Sequence, residues 1–213
     1  MKKTLVVAMA LACAASAFAQ GTVVFVNNVT GVLRAPIYGP LGPGDTVSLV
    51  GNGPSPSIPA GTVDYGGRPL LAGAGYTAQL FAAPGADQPE SSLQPATPTT
   101  TFRTGAAAGF VALVTATLPN VPPDAPVATL QLRVWDNMGG TVTTWAQAEA
   151  LWLSGQIAAG KSLTFNVNAI GGTLNPPPNL VGLQSFNIYY IPEPGTLALL
   201  GLGALGLMVF RRK

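Results

Sequence analysis

Val127–Asp136 reads VATLQLRVWD, and its alternation decides the fold class. Ala128, Leu130, Leu132 and Val134 fall on one face, and Thr129, Gln131 and Arg133 on the other. A period of two sends successive side chains to opposite sides of an extended chain, so the stretch predicts a half-buried strand. Lys161–Asn168 repeats the pattern, with Leu163, Phe165 and Val167 opposed to Ser162, Thr164 and Asn166. Gln184–Tyr190 offers Phe186, Ile188 and Tyr190 on one face, and Thr22–Val26, Thr46–Val50, Gly75–Ala82 and Phe110–Leu118 add less regular runs. Pro- and Gly-rich connections at Gly51–Gly61, Pro84–Pro98, Pro119–Pro126 and Gly171–Asn179 separate them. Proline cannot donate to a central ladder, so these are loops or edges. The 84–98 stretch, with Asp87 and Glu90 near Ser91 and Ser92, is expected to be the most flexible.

One helix is expected, over Trp145–Leu153. Thr144 can cap it and Gln147 stands at the capping-box position. Trp145, Ala148 and Trp152 then share a face, which the helix would lay over the sheet, and Gly155 would end it. Many short strands with one covering helix predict an all-β, antiparallel β-sandwich, jelly-roll-like or immunoglobulin-like. No fixed-period repeat points to a solenoid or propeller.

Both ends differ from this middle. Lys2 and Lys3, the apolar Leu5–Ala15 stretch and the A-x-A at Ala17-Phe18-Ala19 form a secretory signal expected to be cut before Gln20. A lipoprotein signal using Cys13 is the alternative, but Ala10 stands where Leu is usual. At the other end, Ile191–Lys213 reads IPEPGTLALLGLGALGLMVFRRK. Thr196–Phe210 carries no charge, and as a helix it would span about 22 Å, short of a bilayer's roughly 30 Å hydrocarbon core. It is nevertheless apolar all round, unlike a soluble helix. Arg211, Arg212 and Lys213 follow at once and would stay on the cytoplasmic side. Tyr189 and Tyr190 suit the interfacial layer on the other flank. Gly201, Gly203 and Gly206 weaken the helix, so the anchor is a marginal one. Pro192-Glu193-Pro194-Gly195 just outside it should be extended or turned, since each proline disfavours helical geometry in the residue before it.

Pro192, Glu193 and Pro194, the apolar 196–210 run and the Arg211–Lys213 end together resemble the PEP-CTERM sorting signal. The resemblance implies a substrate of an exosortase, a membrane-embedded cysteine transpeptidase of Gram-negative bacteria. That enzyme would cut near the motif and release the protein to the cell surface or extracellular matrix, in a setting of exopolysaccharide production. It covers about a tenth of the chain and says nothing of the cargo. The chain thus divides into 1–19 (signal peptide), 20–190 (sandwich domain) and 191–213 (sorting segment with transmembrane helix). Gly201-Leu-Gly203-Ala-Leu-Gly206 spells a dinucleotide fingerprint, but no soluble helix and no acidic residue follow it.

Chemistry is sparse. The chain has no histidine and one cysteine, Cys13, which is expected to leave with the signal. His-dependent triads and thiolate chemistry therefore cannot be built. Between residues 20 and 191 five cations meet seven carboxylates, a net charge of −2 that argues against nucleic acid as a partner. Two-carboxylate glycoside hydrolysis stays formally open. Asp136 is the best acid for it and Glu149 a partner, although Asp136 before Asn137 and Gly139-Gly140 reads more naturally as a turn residue. Asp136 with Asn137 could contribute oxygen to calcium, without a loop motif to support it. Trp135, on the polar face of its strand, is the residue nominated for stacking on a sugar. The expectation is a non-enzymatic, surface-sorted structural protein without a cofactor. The alternative is a carbohydrate-binding or adhesin module.

Overall fold

The computed structural model describes residues 20–192. The signal peptide, Glu193, Pro194, the 196–210 run and the basic end lie outside the described residues.

The fold is rich in sheet and is built on one long pair. Tyr76–Pro84 (β5) and Val127–Asp136 (β9) run antiparallel from Tyr76↔Asp136 to Pro84↔Ala128. Beyond β5 lie Gln94–Pro95 (β6) and Thr100–Thr101 (β7). Beyond β9 lie Ala159–Lys161 (β10) and Phe165–Asn168 (β11). A separate antiparallel pair joins Gly21–Phe25 (β1) to Val114–Leu118 (β8). Thr97 and Thr117 exchange backbone hydrogen bonds between the two sheets. Two short ladders complete the set. Asn28–Val29 (β2) pairs with Leu33–Arg34 (β3), and Ile37–Tyr38 (β4) pairs with Phe186–Asn187 (β12) in parallel.

The strand expected over Lys161–Asn168 is broken in two. Lys161 faces Arg133 and Phe165 faces Leu130, so three residues on one side oppose two on the other. One extra residue is a bulge, and it cancels the alternation. Leu163 is accordingly 60% exposed instead of joining Val167 inside. Only Val50 of the expected Thr46–Val50 strand forms a bridge, to Phe186. The 84–98 stretch is not a free loop, because Leu93 and Ala96 are buried and β6 belongs to the sheet.

β9 is buried on both faces. Ala128, Leu130, Leu132 and Val134 join Ala78, Leu80 and Ala82 of β5, and with Val23, Phe25, Ala116 and Leu118 of β1 and β8 they form the main core. The opposite face carries Trp145–Leu153 (α1), whose Trp145, Ala148 and Trp152 pack on Phe81, Ala83 and Trp135. Thr144 accepts from the Gln147 backbone N–H and the Gln147 side chain answers, so the helix starts where the capping box puts it. Among the described residues no helix is long and apolar enough to cross a membrane.

Candidate ligand-binding cleft

The residues nominated from the sequence do not assemble into a site. Trp135 is completely buried, which corrects its assignment as a sugar platform. Its indole N–H donates to the Val142 carbonyl at 2.9 Å, and its ring meets Trp145 edge-on at 5.9 Å. The contacts continue through Trp152 to Tyr189, at 5.9 and 5.2 Å. A large aromatic ring beneath a covering helix is worth more as core than as exposed surface.

Asp136 acts as a turn residue, since its Oδ1 accepts from the Met138 N–H at 2.8 Å. Glu149 lies elsewhere, beside Glu90 and Arg133 in a shallow depression that does not include Asp136. Arg133 is 7% exposed, with its guanidinium over Phe81 at 3.9 Å and Trp145 at 5.2 Å. It donates to Gln131 at 2.8 Å and to Glu90 at 3.4 Å. Lys161 closes on the same Glu90 oxygen at 2.6 Å. Burial lowers the Arg133 pKa against the pull of Glu90 and Glu149. Burial pushes the Glu90 carboxyl up, but the bonds from Lys161 and Gln131 outweigh it and hold the group below the usual range. The cluster is a satisfied ion network.

Six of the seven carboxylates between residues 20 and 191 are likewise occupied. Besides Glu90 and Asp136, Asp45 takes Arg68 in a two-pronged pair and accepts the Leu41 and Val47 N–H groups. The bond from Arg68 is the main reason its carboxyl is held down to about 2. Asp124 holds the 173–175 turn through three backbone N–H groups and a hydroxyl. Asp87 accepts from Asn166, and Asp64 from the Gly66 N–H. Among the described residues no three His, Cys, Asp or Glu side chains gather as a metal site.

A cleft of about 370 Å³ that the sequence reading did not identify opens elsewhere on the domain. Arg34, Tyr38, Asp64, Tyr65, Arg68 and Phe110 line it. β3 and β4 present Arg34 and Tyr38. Arg34 also pairs through its backbone with Ile58, which brings in the 53–57 wall. Tyr38 stacks on Tyr65 with centroids 3.9 Å apart and planes 10° from parallel. The Tyr65 hydroxyl donates to the Gly51 carbonyl at 2.7 Å. Desolvation raises the pKa of both phenols, so both stay neutral donors. Arg34 lies over the Phe110 ring at 5.0 Å.

Two buried asparagines hold the walls in place. Asn27 donates to the carbonyls of Ala35 and Gly109 at 2.8 and 3.0 Å and accepts the Val111 N–H at 2.9 Å. Asn52 donates to the Pro59 carbonyl and accepts the Ser185 N–H. Gly109 turns with φ 83°, and a Cβ there would come within 2.8 Å of Leu70, so the wall behind Phe110 needs glycine.

The described chain ends beside the domain surface. The Tyr190 N–H donates to the Asp45 carbonyl, and Tyr189 pairs with Ala159 in both directions. Both tyrosines are thus half-buried on the domain. The segment that follows, residues 191–213, matches the family model of the PEP-CTERM protein-sorting motif. This tail is a PEP-CTERM sorting signal. It marks the chain as a secreted protein targeted to an exosortase, with a membrane-anchored precursor. No curated protein and no solved structure matches the chain. The PEP-CTERM signal therefore gives the route, and the chemistry of the cargo rests on residues 20–190.

Proposed function

We propose that this is a non-enzymatic structural protein of the cell surface or extracellular matrix of a Gram-negative bacterium. In this reading the signal is cut before Gln20, residues 20–190 form the exported β-sandwich, and an exosortase removes the tail. The observation that carries it is the use of the carboxylates. Six of the seven accept hydrogen bonds that hold turns, loops and ion pairs. An acid engaged in this way is a poor general acid or base, because its oxygens are already committed to the fold. Exopolysaccharide is the natural surrounding for such a protein, and the charge balance leaves nucleic acid without a docking face.

Mass spectrometry on fractionated host cells tests the route, comparing wild type with Glu193→Ala. The wild-type protein is expected outside the cell, beginning at Gln20 and lacking the 196–213 tail, with the variant held in the membrane. Wild-type protein that keeps Arg211–Lys213 in the inner membrane makes the tail a plain anchor and removes the matrix role.

A second reading, carbohydrate binding, has its own support in the cleft. Tyr38, half-buried and stacked on Tyr65, offers a flat apolar face on which a sugar ring can settle, with polar groups around it, whereas Tyr65 and Phe110 are themselves buried. Retention of the full chain on an immobilised polysaccharide, lost in Tyr38→Ala at unchanged melting temperature, is the expected result.

A further inference from the structure

Three of the five cations between residues 20 and 191 have a carboxylate partner: Arg68 with Asp45, and Arg133 and Lys161 with Glu90. Arg103 is exposed on the surface. Arg34 is different. It lines the cleft, forms no ion pair among the described residues, and its Nε is shut from water with no hydrogen-bond partner. That donor is costly to leave unmade, and with the Nε closed off it is the terminal N–H groups of the guanidinium that are left to meet a ligand in the cleft. Phe110 behind it fixes the plane of the guanidinium.

We propose that the cleft binds a carboxylate-bearing saccharide, and that Arg34 selects the acidic sugar unit. This rests on the carbohydrate-binding reading and adds the class of ligand. A planar guanidinium offers parallel N–H donors that match the two oxygens of a carboxylate. Tyr38, stacked on Tyr65, supplies a ring face within the field of Arg34 for the sugar itself. Asp64 decides between an acidic sugar and a denser polyanion. One of its oxygens accepts from the Gly66 N–H at 2.8 Å, and the other can accept a sugar hydroxyl. A carboxylate at the cleft would repel closely spaced phosphates, whereas a uronate carries one charge among several hydroxyls. The cleft's volume falls at the small end of the range for ligand sites, fitting a short stretch of a chain.

The test uses the full chain in detergent, titrated calorimetrically with polygalacturonate and with dextran. Polygalacturonate is expected to bind and dextran to bind at least roughly tenfold more weakly, the scale of one charge-assisted pair. Affinity for polygalacturonate is expected to fall as NaCl is raised. Arg34→Gln should abolish the preference, and Arg34→Lys should keep part of it because charge remains while the fork is lost. Competition on the wild-type chain by free galacturonate, and not by galactose, requires no variant to fold. If both polymers bind alike and Arg34→Gln changes nothing, the acid selectivity is wrong while a saccharide cleft survives. If neither polymer binds, the cleft reading itself is overturned.

Discussion

Two arginines in this molecule lie over aromatic rings, and their surroundings are opposite. Arg133, in the middle of β9, has Phe81 and Trp145 against its guanidinium and Gln131 and Glu90 on its N–H groups. Arg34, at the end of β3, has Phe110 and, among the described residues, no ion pair. The first cation is consumed by the fold, since it lets polar residues occupy a buried strand face beneath a helix. The second is held in place by the fold but not satisfied by it. Charge and aromatic contact alone thus do not distinguish the two arginines, whereas the presence or absence of an ion-pair partner does.

The sharpest way to break this contrast is to remove Arg133. Arg133→Ala would delete the packing stem, leave the Gln131 Oε1 without its donor and take one of three donors from Glu90, at a cost of about 2–4 kcal/mol. Urea denaturation of the full chain measures it. A loss below about 0.5 kcal/mol, the scale of a plain surface change, would mean that Arg133 is no more structural than Arg34.

A second probe is acid. The Asp45 carboxyl is held down to about 2, first by its bond from Arg68. A depressed carboxyl contributes stability that is present above its unfolded pKa and lost as pH falls through the folded one. The contribution should therefore disappear between pH about 4 and about 2, and amount to about 1–2 kcal/mol once solvent screening is allowed for. Melting temperature against pH, with Asp45→Asn as the reference that loses this portion of the slope, reads it out. Arg34 has no such carboxylate, so Arg34→Gln should leave the acid limb unchanged. A flattened limb in that variant would reveal a hidden partner.

The Arg133 side can be resolved further through its tryptophans. Trp152 donates to the Tyr189 carbonyl at 2.8 Å, whereas the buried Trp145 N–H has no partner. Trp152→Phe should therefore cost about 1 kcal/mol more than Trp145→Phe, because only the first gives up a hydrogen bond. Equal losses in chemical denaturation would show that packing alone sets both.

These contrasts also explain what could be read without a structure. The alternation of Ala128, Leu130, Leu132 and Val134 found β9 at its true bounds, and Thr144 with Gln147 found the helix, because both signals are local. Local signals failed where the partner is distant. Polar Thr129, Gln131 and Arg133 looked solvated and took Trp135 with them, yet Glu90, Ser162 and the helix cover that face. Three tryptophans close together, two on a helix that needed something to cover, were the available hint. The bulge at Ser162–Thr164 leaves no mark on composition. The cleft was invisible for the same reason: Asn27 holds it through Gly109 and Asn52 through Ser185, across separations of 82 and 133 residues. The sorting tail was legible because its recognition depends on linear order, which no folding partner can hide.

The smallest expected effect bears most directly on function. Arg34→Gln should shift the urea midpoint by less than about 0.5 kcal/mol equivalent. The variant loses a ring contact worth about 0.5–1 kcal/mol at a partly exposed site, but it also removes a shielded N–H that the folded state leaves unbonded. The two terms nearly cancel. Residues kept for binding are often those that stability can spare, because their strongest interactions await a ligand. A loss near that of Arg133→Ala would place Arg34 among the structural cations and take away the reason for assigning it a ligand. A neutral result, measured beside lost polygalacturonate binding, would separate the two arginines by function as cleanly as the structure separates them by contacts.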